Sequence, residues 1–394
     1  MIWEFVLRVV LAAVGAVAGT AAAWGGLPEY SVVEEGAPAV SPGSAVRLSV
    51  ASETLADDMT VDVWLPPTYD AALPGGYPVV YVHDGQNLFD PSLSFSTVAW
   101  ELDQTAASLA SKGEIAAPII VGIHNRGAKN LRPNDYFPEK ALSYISAADR
   151  DRTFVRETCS AGFFGDEHAE FVACELKPLV DDMFNTAPDR GHTFAMGSSM
   201  GALASMYLLC EYPDIFGGAA CMSTHWIGSF KMNADYSLQP DAVCAAAVLA
   251  YMDGNLPDPA QRRLYLDQGT TGWDADYLQY EVQARAIAER HGYSAGQGTL
   301  MTYDAAGAGH NEWFWQQRAA RPLTFLLKNL AGVADAVTDE DGEADAPLYD
   351  LPPGSRPSRP RPLYQRPPQG PGHRIVGLTK VPLLENAVFR QVKS

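Results

Sequence analysis

Gly197-Ser198-Ser199-Met200-Gly201 is the stretch of sequence that decides the fold. A short β-prone run, residues 193–196, precedes it, and an apolar stretch at helical spacing, residues 202–209, follows it. This order of strand, tight turn and helix is the setting in which a Gly-x-Ser-x-Gly motif holds a reactive serine on a strained turn. The pattern therefore predicts that Ser199 is a nucleophile at the end of a buried strand.

The two glycines of the motif fit this interpretation. A serine held on a sharp turn at the top of a sheet leaves no room for side chains at Gly197 and Gly201. The helix that begins after the turn also points its positive N-terminal end at the oxyanion that would form when Ser199 attacks a carbonyl carbon.

The composition of the chain indicates a large folded protein with an excess of acidic residues. Its 394 residues are 47% hydrophobic and 19% charged, which allows a large buried core in one or two domains. The 28 lysines and arginines stand against 47 aspartates and glutamates, so the formal net charge is -19. This charge argues against nucleic acid and anionic membrane surfaces as partners.

Strand and helix patterns alternate along the chain, which predicts one α/β domain over residues 40–330. Alternating polar and apolar residues at 46–50 and 61–65 predict two half-exposed antiparallel strands at one edge. Further strands of the central sheet are predicted over residues 78–82, 118–123, 193–196, 216–223, 263–267 and 299–303. Helices are expected over residues 100–111, 166–184, 202–209 and 311–327.

The N-terminal segment has the features of an export signal. Arg8 precedes an apolar run, residues 9–18, and Ala21-x-Ala23 suits signal peptidase. Because the run is short for a bilayer crossing, we expect residues 1–23 to be cleaved and the mature protein to be periplasmic or secreted. The alternative is a membrane anchor over residues 2–24 that is not cleaved, since Glu4 weakens the basic character of the segment.

The composition changes after residue 333. An acidic cluster between Asp335 and Asp345 is followed by a segment rich in proline and arginine, Pro352 to Pro371. Residues 334–373 cannot bury enough apolar surface to offset the entropy lost on ordering, so we expect an extended or disordered linker. Residues 374–394 regain apolar side chains, which makes them a candidate for docking or for binding a protein partner.

The five cysteines show no spacing that is typical of a metal site. Because there is no C-x-x-C pair and no Cys/His ligand spacing, we expect no zinc site. The odd number leaves at least one thiol unpaired. Cys159 and Cys174 could form a disulfide in an exported protein, and Cys210 and Cys221 fall in apolar runs where small buried side chains are expected.

A nucleophilic serine needs a histidine base, which in this architecture comes last in the order Ser, acid, His. His310 is the candidate base, because it lies in a glycine-rich loop just after the last predicted strand. His225 precedes any plausible acid. His291 falls in a helical pattern, and His373 lies in the tail.

The acid is expected on the loop after the strand predicted at residues 263–267, where Asp267, Asp274 and Asp276 are available. Asp274 is preferred, because the last residue of a strand is poorly placed to reach across to another loop. Asp267 is the second candidate and is otherwise expected to cap the Gly269-Thr270 turn. Asp276 has the position of an N-terminal helix residue.

Several motifs, spread over residues 46–327, carry a resemblance to a known family. They are Trp64-Leu65-Pro66-Pro67, His83-Asp84-Gly85-Gln86-Asn87, the Gly197–Gly201 motif, Glu211-Tyr212-Pro213, Ser223-Thr224-His225-Trp226, Asp267-x-Gly269-Thr270 and Gly309-His310-Asn311-Glu312-x-x-Trp315. In these motifs the chain resembles bacterial esterases of the α/β-hydrolase class, which include feruloyl esterases, siderophore trilactone esterases and S-formylglutathione hydrolases. The resemblance implies a mostly parallel central sheet with antiparallel N-terminal edge strands and helices on both faces.

The resemblance also implies a function, that of a serine carboxylic-ester hydrolase that forms an acyl-enzyme and needs no metal or organic cofactor. It implies that Ser199 is the nucleophile, His310 the base, and the backbone amides of Gln86 and Met200 the oxyanion hole. The acid loop departs from the family pattern, because Thr271, Gly272 and Trp273 intervene before Asp274. Whether Asp274 or Asp267 is the acid stays open at this point.

The expected substrate is a small-molecule ester. Residues near the predicted site that are candidates for contacting it are Trp100, Asn125, Tyr136, His225, Trp226 and Trp313. Because aromatic residues also fill α/β cores, packing is the alternative for each aromatic residue among them. The same triad would serve an acyltransferase with an alcohol or sugar acceptor, and the same fold would serve a non-catalytic binding protein.

Overall fold

The computed structural model describes residues 26–330 of the chain. The predicted export signal, residues 1–23, the alternative membrane anchor and the segments predicted over residues 334–373 and 374–394 lie outside the described residues. Within the described part of the chain, no helix is both long and apolar enough to cross a membrane.

The described residues contain one sheet of nine strands in the order β1-β2-β3-β5-β4-β6-β7-β8-β9. Strands β1, β2, β3 and β5 pair antiparallel, and every pair from β5 through β4 to β9 is parallel. The strands are β1 Tyr30–Val32, β2 Ser44–Ser52, β3 Asp57–Leu65, β4 Val79–His83, β5 Ile119–Ile123, β6 Thr193–Ser198, β7 Gly218–Met222, β8 Arg263–Gly269 and β9 Leu300–Ala305. The predicted antiparallel edge and parallel centre are confirmed.

Helices cover both faces of the sheet. They are α1 Leu102–Ser111, α2 Arg132–Tyr136, α3 Val155–Thr158, α4 Gly165–Glu170, α5 Lys177–Met183, α6 Met200–Glu211, α7 Ala242–Asn255, α8 Trp273–Arg290, α9 Glu312–Gln316 and α10 Ala320–Leu327. Short 3-10 turns lie at Gly85–Asn87, Gly127–Lys129, Glu139–Tyr144, Arg150–Arg152, Arg190–His192 and Ala295–Gln297.

Alternate residues of β4 show how the core is divided. Val79 and Tyr81 belong to a cluster with α6, α7 and α8, whereas Val80 and Val82 belong to a second cluster with α1 and α10. Since successive side chains of a strand point to opposite faces, the central sheet is buried on both sides. The polar residues that follow the parallel strands therefore gather at one edge, outside both cores.

The prediction that residues 61–65 are half-exposed is wrong, because all five of these residues are buried. The polar member of this run, Asp62, is held inside by Arg47, whose Nε and Nη2 each donate to its carboxylate at 2.7 Å. His124 lies 2.6 Å from the same carboxylate. An alternating pattern indicates exposure only when the polar side chain has no buried partner.

The two long predicted helices differ in detail from the structure. The stretch predicted over residues 166–184 is α4 and α5 joined by a π-helical segment, Phe171–Leu176. Pro178, at the start of α5, has no N–H to donate, which favours an irregular turn just before it. The helix predicted over residues 311–327 is divided into α9 and α10.

The predicted disulfide is also wrong. Cys159 and Cys174 are free thiols, as are the other cysteines, and all of them lie within the described residues. Cys210 and Cys221 are buried, as predicted. Burial raises the pKa of the Cys210 thiol well above its usual value, so these side chains behave as small apolar groups.

Three histidines, His83, His168 and His225, are buried. The pKa of His83 is lowered to about 4 and that of His225 to about 3, in both cases mainly by burial. In the unfolded chain both return towards an ordinary value near 6.5. As the pH falls below 6.5, the unfolded chain therefore takes up protons that the folded chain does not, and folding stability decreases.

This predicts a steeper acid destabilisation in the wild type than in a His225→Asn variant. Removing one such histidine should lower the slope of unfolding free energy against pH by about one proton, about 1.4 kcal/mol per pH unit between pH 6 and about 4. Urea unfolding at several pH values measures this slope. Equal slopes in the two proteins would show that His225 is not held neutral in the fold.

Candidate active site

Ser199 lies between β6 and α6 in a strained conformation. Its φ is 56° and its ψ is -122°, a region that non-glycine residues rarely adopt, and the residue is only 4% exposed. Two backbone hydrogen bonds hold it there: its N–H donates to Met222 O at 2.9 Å, and its carbonyl accepts from the N–H of His225 at 3.2 Å. The strand, turn and helix predicted from the motif are all present.

The backbone and side chains around Gly197 and Gly201 leave no room for a Cβ atom at either position. A Cβ atom added at Gly197 would lie 2.4 Å from the carbonyl oxygen of Gly201. One added at Gly201 would lie 3.0 Å from His83 Cβ and 3.2 Å from an oxygen of Asp84. The first contact is the tighter and is with rigid backbone. Glycine at both positions lets the helix start close to the loop after β4.

Three polar side chains that are distant in sequence form one series of hydrogen bonds. Ser199 Oγ lies 2.8 Å from His310 Nε2, and His310 Nδ1 lies 2.6 Å from Asp274 Oδ1. The His310 side chain is 8% exposed and that of Asp274 is fully buried. With Nδ1–H donating to the carboxylate, Nε2 is free to accept the hydroxyl proton of Ser199.

The sequence analysis expected Asp274 on a loop, but the residue lies in the first turn of α8. Its Oδ2 accepts hydrogen bonds from the hydroxyl of Ser223 at 2.6 Å and the N–H of Gly269 at 2.5 Å. Burial alone would raise the pKa of Asp274, but His310 and these hydrogen bonds lower it below its usual value. The carboxyl group is therefore held ionised.

Asp267 does not cap the Gly269-Thr270 turn, so that prediction is wrong. It accepts from Arg318 Nε at 3.0 Å and from Arg318 Nη2 at 3.1 Å, and Tyr265 OH donates to it at 2.8 Å. Burial raises the pKa of Asp267, an effect that Arg318 reduces. Asp267 makes no hydrogen bond to His310, and Asp276 is exposed at the start of α8.

The loop after β4 lies beside the turn that holds Ser199. It begins at Asp84, whose φ is 60° and whose carboxylate accepts from Arg132 Nε and Nη2, each at 2.7 Å, and from Asn125 Nδ2 at 2.6 Å. Burial would raise the pKa of Asp84, but Arg132 lowers it below its usual value. Sequence reasoning missed Arg132, which has no motif of its own.

The amides predicted to form the oxyanion hole lie at the expected ends of these elements. Gln86 is in the 3-10 turn after β4, and Met200 is the first residue of α6. Within residues 26–330, neither N–H donates a hydrogen bond to another residue. Because α6 begins here, its unpaired N–H groups and positive end are available to an anion.

Two of the predicted substrate contacts are core residues. Trp226 is 0% exposed, and its Nε1 donates to Glu281 at 2.7 Å. His225 is also 0% exposed, with its ring 4.1 Å from that of Phe230 and its Nδ1 2.7 Å from Tyr277 OH. Because their polar atoms already have protein partners, the prediction that they contact substrate is corrected.

Two further predicted contacts are also buried. Tyr136 is 1% exposed, and its hydroxyl accepts from the N–H of Asp84 at 3.1 Å. Trp100 is 1% exposed, with its ring 5.8 Å from that of Trp315. Asn125 is half-buried beside Asp84, and Trp313 is 51% exposed three residues beyond His310. Only these last two stay candidates for substrate contact.

Aromatic rings that were not among the predicted substrate contacts surround His310. The rings of Trp315, Tyr277 and Trp273 lie 5.0, 5.4 and 5.5 Å from the imidazole. Trp273 and Tyr277 are four residues apart on α8, so one face of this helix supplies both of them. These contacts restrict the rotation of the His310 ring.

The described residues contain no group of three or more histidine, cysteine, aspartate or glutamate side chains that could hold a metal ion. The chemistry available here is that of side chains and backbone amides: a serine hydroxyl bonded to an imidazole, a buried carboxylate behind it, and N–H groups at a helix N-terminus.

The family described as "Putative esterase" matches residues 52–325, well over half of the chain. The chain belongs to this esterase family. The match includes Ser199, Asp274 and His310. The sheet order and the helices on both faces are those of the α/β-hydrolase fold.

This esterase-family chain is also similar to curated proteins over part of its length. It is 27% identical to the uncharacterized protein YbbA of Bacillus subtilis (strain 168) over 176 residues, 44% of this chain and 60% of that protein. It is 24% identical to the ferri-bacillibactin esterase BesA of the same organism over 190 residues, 47% of this chain and 60% of that protein. The chain thus spans about 60% of the length of these relatives.

A solved structure of a ferulic acid esterase is similar in fold to this member of the esterase family. The TM-score is 0.51 at 17% sequence identity, and the similarity covers 72% of this chain and 98% of that one. At this identity the likeness concerns the fold.

Proposed function

We propose that the protein is a serine carboxylic-ester hydrolase in which Ser199, His310 and Asp274 form the catalytic triad. The observation that carries the proposal is the chain of two short hydrogen bonds, 2.8 Å from Ser199 Oγ to His310 Nε2 and 2.6 Å from His310 Nδ1 to Asp274 Oδ1. A nucleophile, a base and an orienting acid in this order are what acyl transfer to serine requires. Membership of the esterase family supports the reaction class.

Acylation follows from these contacts. His310 Nε2 takes the proton of Ser199 as Oγ forms a bond to the ester carbonyl carbon, and the carbonyl oxygen becomes an oxyanion. The N–H groups of Gln86 and Met200 are proposed to donate to that oxyanion. When the carbon–oxygen bond to the alcohol breaks, His310 gives its proton to the leaving oxygen, and the acyl group remains on Ser199.

Deacylation repeats the same steps with water. His310 Nε2 takes a proton from water as the water oxygen attacks the acyl carbon, and the bond to Ser199 Oγ then breaks. The proton returns from His310 to Ser199, and the carboxylic acid leaves. Asp274 stays ionised throughout, because it stabilises the imidazolium that forms in each step and does not itself accept the proton.

The proposal is tested by measuring turnover of p-nitrophenyl, feruloyl and lactone esters, which differ in their acyl and alcohol groups. We expect Ser199→Ala to lower turnover by about 10⁴ to 10⁶, with the fold retained, because only the nucleophile is lost. Ser198→Ala is the matched control: Ser198 is the neighbouring buried serine of the same motif, and its side chain makes no hydrogen bond to another residue within 26–330, so this variant should keep its turnover.

Equal turnover in Ser199→Ala and wild type would contradict the proposal. Absence of turnover by the wild type on every ester would favour a non-catalytic binding protein. Adding alcohols and sugars to the assay separates hydrolysis from acyl transfer, because an acyltransferase would release a new ester in place of the free acid.

A second prediction concerns the two buried carboxylates. Asp274→Asn should lower turnover by about 10⁴, because it disfavours the tautomer of His310 that accepts the Ser199 proton. Asp267→Asn should act on stability, at a cost of about 3–5 kcal/mol, because it removes the charge of the carboxylate to which the buried Arg318 donates two hydrogen bonds. Urea unfolding and turnover per folded molecule measure the two effects. If Asp267→Asn abolishes turnover in a well-folded protein and Asp274→Asn does not, the acid is Asp267.

A further inference from the structure

Ser223 directly follows β7 and occupies a strained, enclosed position. Its φ is 45°, in the left-handed region, and the residue is 0% exposed. Its N–H donates to Asp267 O at 2.7 Å and lies 3.2 Å from Asp267 Oδ1. Non-glycine residues keep such a conformation only where the surrounding structure imposes it, and they are found most often at functional sites.

The hydroxyl of Ser223 has one arrangement of hydrogen bonds open to it. Trp315 Nε1 lies 3.0 Å and Arg318 Nη2 2.7 Å from Oγ, and both of these groups can only donate. They occupy the two lone pairs of the oxygen. The hydroxyl proton is therefore left for Asp274 Oδ2, which lies 2.6 Å from Oγ. Ser223 is therefore the donor and Asp274 the acceptor of this hydrogen bond.

Arg318 is fixed in turn by Asp267. The guanidinium donates two hydrogen bonds to that carboxylate, of 3.0 and 3.1 Å, and its side chain is 4% exposed. Its Nη2 lies 4.0 Å from Asp274 Oδ2, so it bonds to Ser223 rather than to Asp274 itself. The Asp267–Arg318 pair therefore holds the donor that orients the Ser223 hydroxyl.

We propose that Ser223 is a positioning residue for Asp274: its hydroxyl, oriented by Trp315 and Arg318, holds the carboxylate in line with His310. The inference rests on the proposed function, in which Asp274 orients the base. Ser223 does not touch the reacting atoms. It acts through Asp274 Oδ2, while Oδ1 is left to His310.

The role has a consequence for the pH dependence of turnover. The hydrogen bond from Ser223 withdraws negative charge from the Asp274 carboxylate. Without it, the Asp274–His310 pair binds a proton more tightly, so the acid limb of kcat/KM moves to higher pH. The other titratable or charged groups near this pair are Asp267, Arg318, Tyr277, His225 and Glu312, and of these only Arg318 is hydrogen-bonded to the Ser223 hydroxyl.

Two substitutions of Ser223 separate positioning from stability. Both Ser223→Ala and Ser223→Gly delete the hydroxyl, but glycine relieves the strain of the positive φ and alanine does not. We expect kcat to fall about 10- to 100-fold in both variants, the range typical of removing a partner that orients a functional group, with KM nearly unchanged. The acid limb should shift to higher pH in both, although Ser223→Gly should have the higher Tm.

Ser229→Ala is the matched control. Ser229 is a buried serine whose hydroxyl donates at 2.7 Å to a buried carboxylate, that of Asp241, which caps the N-terminus of α7. Ser229→Ala also removes a hydrogen bond from a serine hydroxyl to a buried carboxylate. Tm should therefore fall, whereas the acid limb of kcat/KM should stay at the wild-type pH. If activity follows Tm, with Ser223→Gly close to wild type, Ser223 is only structural and the proposal is overturned.

Proton NMR of the full chain keeps the test independent of substrate. The proton shared by His310 Nδ1 and Asp274 should give a low-field resonance in the wild type, shifted or broadened in both Ser223 variants and unchanged in Ser229→Ala. If the wild type hydrolyses no ester, the proposed function fails while this resonance still tests the positioning. An unaltered resonance in Ser223→Ala overturns the role of Ser223.

Discussion

The buried carboxylate of Asp274 connects the loops from which the site is built. It accepts hydrogen bonds from His310 after β9, from Ser223 after β7 and from the N–H of Gly269 at the end of β8. These strands are parallel neighbours, so the segments that follow them meet at one edge of the sheet. One buried charge therefore sets where the imidazole stands relative to Ser199, at the end of β6.

The buried charges of this region bear on the proposed reaction. Asp267 and Asp274 are two buried carboxylates; the buried guanidinium of Arg318 is hydrogen-bonded to Asp267, and its Nη2 lies 4.0 Å from Asp274 Oδ2. With a neutral imidazole the cluster carries one excess negative charge, which the proton taken from Ser199 balances. Away from water this attraction is stronger than it would be in solution, so the charge balance favours the transition state over the resting state.

The sequence predicted those features that depend on neighbouring residues. The strand, turn and helix around Ser199 are local patterns, and His310 follows the last strand in a recognisable loop. The sequence could not decide the roles of residues whose partners are distant in the chain. Trp226 is buried and donates a hydrogen bond to Glu281, and Asp267 accepts hydrogen bonds from Arg318, 51 residues away. The choice of Asp274 depended on where α8 begins, because the first turn of that helix turns the carboxylate back towards His310.

The central claim, that Ser199 becomes acylated, is tested most directly by mass spectrometry. The full chain is mixed with a p-nitrophenyl ester of slow deacylation and quenched in acid during turnover. We expect the protein mass to rise by that of one acyl group and digestion to place the group on the peptide with Ser199, with no such rise in Ser199→Ala. Turnover by the wild type without an adduct at Ser199, or an adduct on another residue, would contradict the account.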